Sequence, residues 1–198
     1  MPARAASVAG ADAAPALVFE WAQTVARHVG VVAHRVFAEI GRTGLDAWPP
    51  ERLPASADRL RAELADEGVA RSELDGAVAA VVDAVAGLLA EPRGRWLFDR
   101  SHTEARGEWA LSGVLDHELV RVVVDRSFVA DGVRWIVDFK TGVHEGADVA
   151  GFLAREEARY RPQLDRYATL VRLLDPRPIR VGLYFPRLGA WREWTFAG

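Results

Sequence analysis

In the first half of the chain, apolar residues recur at helical spacing. Residues 19–40, FEWAQTVARHVGVVAHRVFAEI, place Trp21, Val25, Val29, Val32, Val36 and Ile40 three and four positions apart. That spacing is one face of a helix, and the GRTG that follows stops it. WPPERLPASADRL reads as a turn-rich connector. SADRLRAELADEGV and RSELDGAVAAVVDAVAGLLAEP are expected to be two further helices, with Ser56 and Ser72 as N-caps and Pro92 closing the second.

Near Arg95 the pattern changes to strands. EWALSGVLDHELVRVVVDRSFVADGVRWIVDFKTG is rich in Val, Trp, Phe and Ile, with turn signals at Ser112-Gly113 and Asp131-Gly132, and predicts a three-stranded antiparallel meander. Asp-Gly marks a two-residue hairpin because both central positions of its turn need positive φ. With that turn, Ala130 faces Val133, Val129 meets Arg134, Phe128 meets Trp135 and Asp125 meets Asp138. Lys140 shares the face of Asp138, because strand side chains alternate. The other face is expected to hold Val120, Val122, Val124, Trp135, Val137 and Phe139 as a core. FLAREEARYRPQLDRYATLVRLL then reads as a helix, residues 179–185 as a strand ending at Pro186, and residues 191–195 as a last short strand. A helix between two strands of one sheet places them parallel. The expected fold is α/β: a mixed central sheet, built as an antiparallel meander plus a helical crossover, flanked by N-terminal helices. A flexible tail is expected over residues 1–16, followed by one domain over residues 17–198, helical to residue 93 and sheet-based from residue 94.

Composition narrows the class. A chain of 198 residues that is 50% hydrophobic can bury one sizeable core. The absence of cysteine excludes a disulfide framework or thiolate metal site and suits a reducing cytoplasm. The opening residues lack the apolar centre of a signal peptide, and no apolar run approaches the length needed to span a bilayer. The net charge of -3 argues against a surface coated for nucleic acid, so any DNA contact would come from a local patch.

The chemistry concentrates around Asp125, Asp138 and Lys140. Like charges facing each other on paired strands destabilise by roughly 0.2–1 kcal/mol, and more when partly buried. On one reading the acids sit on a solvated strand end with arginines nearby. On the other a hard divalent cation lies between them, with Lys140 orienting or deprotonating an attacking water and stabilising charge on a phosphate.

VVVDRSFVADGVRWIVDFKTG followed by YRPQLDRYATLV resembles the RecB/AddA-type nuclease domain of the PD-(D/E)XK superfamily, whose core is restriction-endonuclease-like. The family pattern is an Asp ending one strand, Asp-x-Lys on the next and Gln-x-x-x-Tyr on the following helix. Here Asp125, Asp138 and Lys140, and Gln163 and Tyr167 match it, and GVVAH supplies a preceding histidine, His34. The resemblance extends from about Arg27 to Trp194 and is nearest to the C-terminal module of UvrD/RecB-like helicase-nucleases. It implies a Mg²⁺- or Mn²⁺-dependent phosphodiesterase acting on DNA in repair or recombination, exonuclease-like and not sequence-specific. His34, Asp125, Asp138 and the Phe139 carbonyl would be metal ligands, and Lys140 the catalytic lysine. No G-x-x-x-x-G-K-[S/T] loop occurs, so a helicase motor, if one is needed, is expected elsewhere.

Each residue also has a plainer reading. His34 alone suits a helix surface or a core, and Gln163 and Tyr167, one helical turn apart, suit ordinary packing. Glu108, before the first strand, is either a solvated strand start or an accessory acid. Arg155, Arg159, Arg161 and Arg166 are candidate phosphate contacts, although Glu156 and Glu157 weaken any basic patch there. The rival functions are a nuclease-like scaffold without catalysis and a hydrolase of small phosphates.

Overall fold

The computed structural model describes residues 13–144 and 146–198, with the side chains of residues 13–22 outside the described part. The position of Trp21 on the helix face therefore lies outside the described residues, as does the expected tail up to residue 12. Residues 13–16 already belong to the first helix, α1 (Ala13–Thr43), which is longer than its apolar periodicity. Its buried face holds Val29, Val32, Ala33, Val36, Phe37 and Ile40.

The connector contains a short helix, α2 (Arg52–Ala55), ahead of α3 (Ala57–Asp66), α4 (Leu74–Ala90) and α5 (Pro92–Trp96). Ser56 precedes α3 but does not cap it, because its hydroxyl donates back to the Arg52 carbonyl at 2.8 Å. Glu73, and not Ser72, stands before α4. Pro92 ends α4 and also opens α5, where its missing N–H falls among donors that have no helical partner anyway. Among the described residues no helix is long and apolar enough to cross a membrane.

Five strands form one sheet in sequence order: β1 (Thr103–Leu115), β2 (Glu118–Ala130), β3 (Val133–Phe139), β4 (Ile179–Phe185) and β5 (Ala190–Thr195). All neighbours are antiparallel except β3 and β4, which run parallel across the crossover helix α6 (Val149–Arg172). The β2–β3 register is the expected one, with Ala130 opposite Val133, Phe128 opposite Trp135 and Arg126 opposite Val137.

The first turn is not where the glycine suggested. Ser112 and Gly113 lie inside β1, paired with Arg121 and Val120, and the chain reverses at Asp116-His117, with φ of 50° and 67°. Asp and His are among the residues that tolerate this left-handed region, so the pair makes the two-residue turn without glycine. Gly113 serves packing instead: a Cβ there would stand 2.7 Å from Leu170 Cδ2 of α6.

The sheet separates two cores. Helices α1, α3, α4 and α5 cover Phe128, Trp135, Val137, Phe139 and Tyr184 on one face, and α6 covers Val124, Ile136, Ile179, Val181, Leu183 and Phe185 on the other. The valines of β2 and the aromatics of β3, expected to share a face, are thus divided. Strand β2 loses its alternation between Val124 and Phe128. That stretch holds Asp125 and runs alongside Glu108, whose φ of 48° is left-handed.

Candidate active site

The interrupted part of β2 delivers Asp125 to the end of β3. Its Oδ2 accepts the Phe139 N–H at 2.8 Å, and its Oδ1 lies 3.5 Å from His34 Nδ1. The imidazole's other nitrogen, Nε2, meets the Phe139 carbonyl at 3.0 Å. Helix α1 passes beside the end of β3 here, where a Cβ on Gly30 would just touch Thr141 Oγ1 at 3.4 Å. Asp138 and Lys140 lie on the α6 side, as strand alternation from Ile136 requires. Lys140 Nζ stands 2.7 Å from Asp138 Oδ2 and 3.7 Å from the centre of the Tyr160 ring.

The charges strain one another. Burial and the charge of Asp125 push the Asp138 carboxyl up to about 6, against the pull of Lys140 and His34. Burial and Asp125 likewise raise Glu108, with His34 opposing. Burial alone would lower His34, but its hydrogen bond to Asp125, the charges of Asp125 and Asp138 and the Phe139 carbonyl raise it overall. For Lys140 the same holds: desolvation is outweighed by Asp138, so the ammonium stays protonated at neutral pH.

The donors suit a divalent cation. His34, Glu108 and Asp125 each offer a ligand atom within 4.8 Å of the others. Asp138 Oδ2 is buried against the Lys140 ammonium at 2.7 Å, and a carboxylate oxygen with one such partner keeps a second lone pair for a cation. Carboxylates with one imidazole fit the oxygen-preferring and borderline divalent ions. A cation would also relieve the mutual repulsion of the acids.

The remaining expected site residues fall elsewhere. Gln163, exposed on α6, donates to the Tyr167 hydroxyl at 2.6 Å, and Tyr167 packs on the α6 core. The α6 arginines lie at the surface beside acids: Arg155 near Asp148, Arg159 near Glu156, Arg161 near Glu157 and Arg166 near Glu118. Tyr160, which does hold Lys140, was missed, although it lies three residues before Gln163 on the same helix face.

Arg126, next to Asp125, was also missed. It is only 5% exposed. Burial brings it down to about 10, which still leaves it charged at neutral pH. It lines a groove of about 850 Å³ between α1 and β1, together with His34 and Glu108.

No curated protein matches the chain. The family model described as PD-(D/E)XK nuclease superfamily matches residues 9–193. With its mixed α/β sheet and its Asp125, Asp138 and Lys140 gathered at the end of two neighbouring strands, the chain belongs to the PD-(D/E)XK nuclease superfamily.

Proposed function

We propose that the protein is a deoxyribonuclease that hydrolyses phosphodiesters with Mg²⁺ or Mn²⁺ held by His34, Asp125, Asp138 and the Phe139 carbonyl, with Glu108 as an accessory acid. The observation that carries this reading is the buried Asp138 carboxylate, paired with Lys140, beside the His34–Glu108–Asp125 cluster. When bound, the cation supplies Lewis acidity toward a phosphate oxygen and makes water a stronger nucleophile at neutral pH.

The chain's own groups do the rest. Lys140, kept protonated by Asp138, stabilises negative charge developing on the phosphate and orients the attacking water. Its charge is fixed between the Asp138 carboxylate and the Tyr160 ring, so little reorganisation is needed as the reaction proceeds. Asp125 fixes the end of β3 through the Phe139 N–H and orients the His34 ring. These contacts address phosphate and sugar only, which supports cleavage without sequence preference. Gln163 and Tyr167 are assigned a supporting role at the far end of the α6 face, and Arg155, Arg159, Arg161 and Arg166 an outer contact surface for DNA.

The resemblance to the RecB/AddA type supports an exonuclease-like action coupled to a UvrD/RecB-type helicase in repair or recombination. The acidic balance of -3 fits a module, spanning residues 17–198, whose DNA is delivered by such a partner.

The test is digestion of end-labelled linear DNA, single- and double-stranded, beside closed circular DNA and a nucleoside monophosphate, in Mg²⁺, Mn²⁺ and chelator. Metal-dependent shortening of linear DNA, with the circle and the monophosphate untouched, supports the reading. Cutting of the circle would replace end-directed action by internal cleavage. Absence of cleavage by folded protein would leave a nuclease-like scaffold.

A further inference from the structure

The groove between α1 and β1 carries two arginines that pair with no carboxylate among the described residues. Five basic side chains line it: His34, Arg35, Arg42, Arg59 and Arg126. Arg35 is paired with Glu67, and Arg59 with Glu39 and Glu63, while His34 belongs to the site already described. That leaves Arg42, exposed on the rim, and Arg126 in the wall, neither paired with a carboxylate among the described residues.

Arg126 is the unusual one. Its Nε donates to the Leu97 carbonyl at 3.1 Å, and its guanidinium lies 4.8 Å from the centre of the Phe98 ring. The two terminal nitrogens meet no acceptor among the described residues, yet they are not sealed in the core and face the groove. A charge this deeply buried normally has a counter-ion, because leaving it unpaired is costly. The helix beside it is cut back to admit it: a Cβ on Gly41 would lie 3.0 Å from Arg126 Nη1. A larger residue in this last turn of α1 would press on the guanidinium.

We propose that Arg126, with Arg42 at the rim, binds a phosphate of the polynucleotide that neighbours the one being cut, so that the α1–β1 groove is the path of the strand into the metal site. The inference rests on the nuclease reading above, since the same groove ends on His34 and Glu108. An anion is needed to satisfy Arg126, and the planar fork of a guanidinium matches two phosphate oxygens at once. Held this way, the strand is fixed on one side of the scissile phosphate by Arg126 and faces Lys140 on the other side of the sheet end.

The experiment measures binding of a fluorescein-labelled single-stranded oligonucleotide in chelator, across a range of salt concentrations, by fluorescence anisotropy. Wild type, Arg126→Gln, Arg126→Lys and Arg42→Gln are compared, with thermal melts to establish folding and metal-dependent cleavage run in parallel. Each lost phosphate contact should reduce the slope of log K against log salt by about 0.7, for oligonucleotides of any sequence. Arg126→Lys should keep the slope while losing affinity, because the point charge survives and the fork does not.

Wild-type slope and affinity in both glutamine variants, from a wild type that cleaves DNA, would overturn the phosphate subsite and leave the nuclease reading standing. Loss of slope in the variants, from a wild type that never cleaves, would support the groove and remove the nuclease reading. If Arg126→Gln does not fold, Arg42→Gln decides, since its exposed side chain carries no packing, and an unchanged slope there overturns the proposal.

Discussion

Asp138→Asn should make the metal-free protein more stable at neutral pH while removing its activity. The Asp138 carboxyl is raised from 3.8 to about 6 by burial and by Asp125. A folded-state value above the unfolded one means the native state holds the proton more tightly. The contribution of this group is therefore favourable below about pH 4, shrinks as pH rises to about 6, and is lost above that. A shift of about two units corresponds to about 3 kcal/mol. Asparagine does not titrate, so the stability of the variant minus that of wild type should climb by about 3 kcal/mol between pH 4 and 6 and then level off. The attraction of Lys140 for the ionised carboxylate is already contained in that shift, and the lysine stays protonated throughout the window. His34, raised above 6.5, also stays protonated through most of it. Urea denaturation in chelator at half-unit steps from pH 4 to 7.5 provides the curve. A difference that stays flat, or falls with rising pH, would refute the electrostatic account of the site.

Divalent metal should close most of that gap: Mn²⁺ at one hundred times its dissociation constant stabilises wild type by about 2.7 kcal/mol, and Asp138→Asn by much less, which thermal melts with and without metal will read. The apparent Mn²⁺ affinity, measured by calorimetry, should fall at least tenfold per pH unit below about 6, where Asp138 takes up a proton and His34 is already charged. Tyr160→Phe keeps the ring above Lys140 and should cut DNA like wild type, whereas Tyr160→Leu removes a contact of roughly 0.5–2 kcal/mol and should slow cleavage by about threefold to thirtyfold. Gly113→Val drives a side chain into Leu170 and should cost about 1–3 kcal/mol in urea denaturation with cleavage retained at permissive temperature.

The parts of the fold that local chemistry dictates were legible in the sequence. Asp131-Gly132 set the β2–β3 register as far as Arg126 opposite Val137, and the helix between two apolar runs gave the parallel β3–β4 pair; the expected facing of Asp125 and Asp138 did not form, because Asp125 turns to the Phe139 N–H and His34 while Asp138 lies toward α6. Gly113 misled because its reason for being glycine is Leu170 of a helix some fifty residues later, a contact no local pattern carries. The division of β2 between two cores escaped for a related reason: the alternation rule assumes a regular strand, and Glu108 breaks it from the neighbouring one.

Charge was the least legible property. The α6 arginines read as a phosphate surface, and the fold sets acids one turn away, on β2 and before the helix beside them, which offsets part of their charge. Arg126, which the sequence reading passed over, is buried in the groove wall with no carboxylate paired to it among the described residues. Burial and pairing decide which cations are free, and both arise only when the chain is folded.

The most direct test of the central claim is single-turnover cleavage of labelled linear DNA in Mn²⁺ by wild type and by Lys140→Ala, with Mn²⁺ binding to each measured alongside. The account predicts that Lys140→Ala binds the metal and loses cleavage by a hundredfold or more, in the range expected for removal of one group that stabilises transition-state charge. A Lys140→Ala protein that cuts as fast as wild type would contradict it.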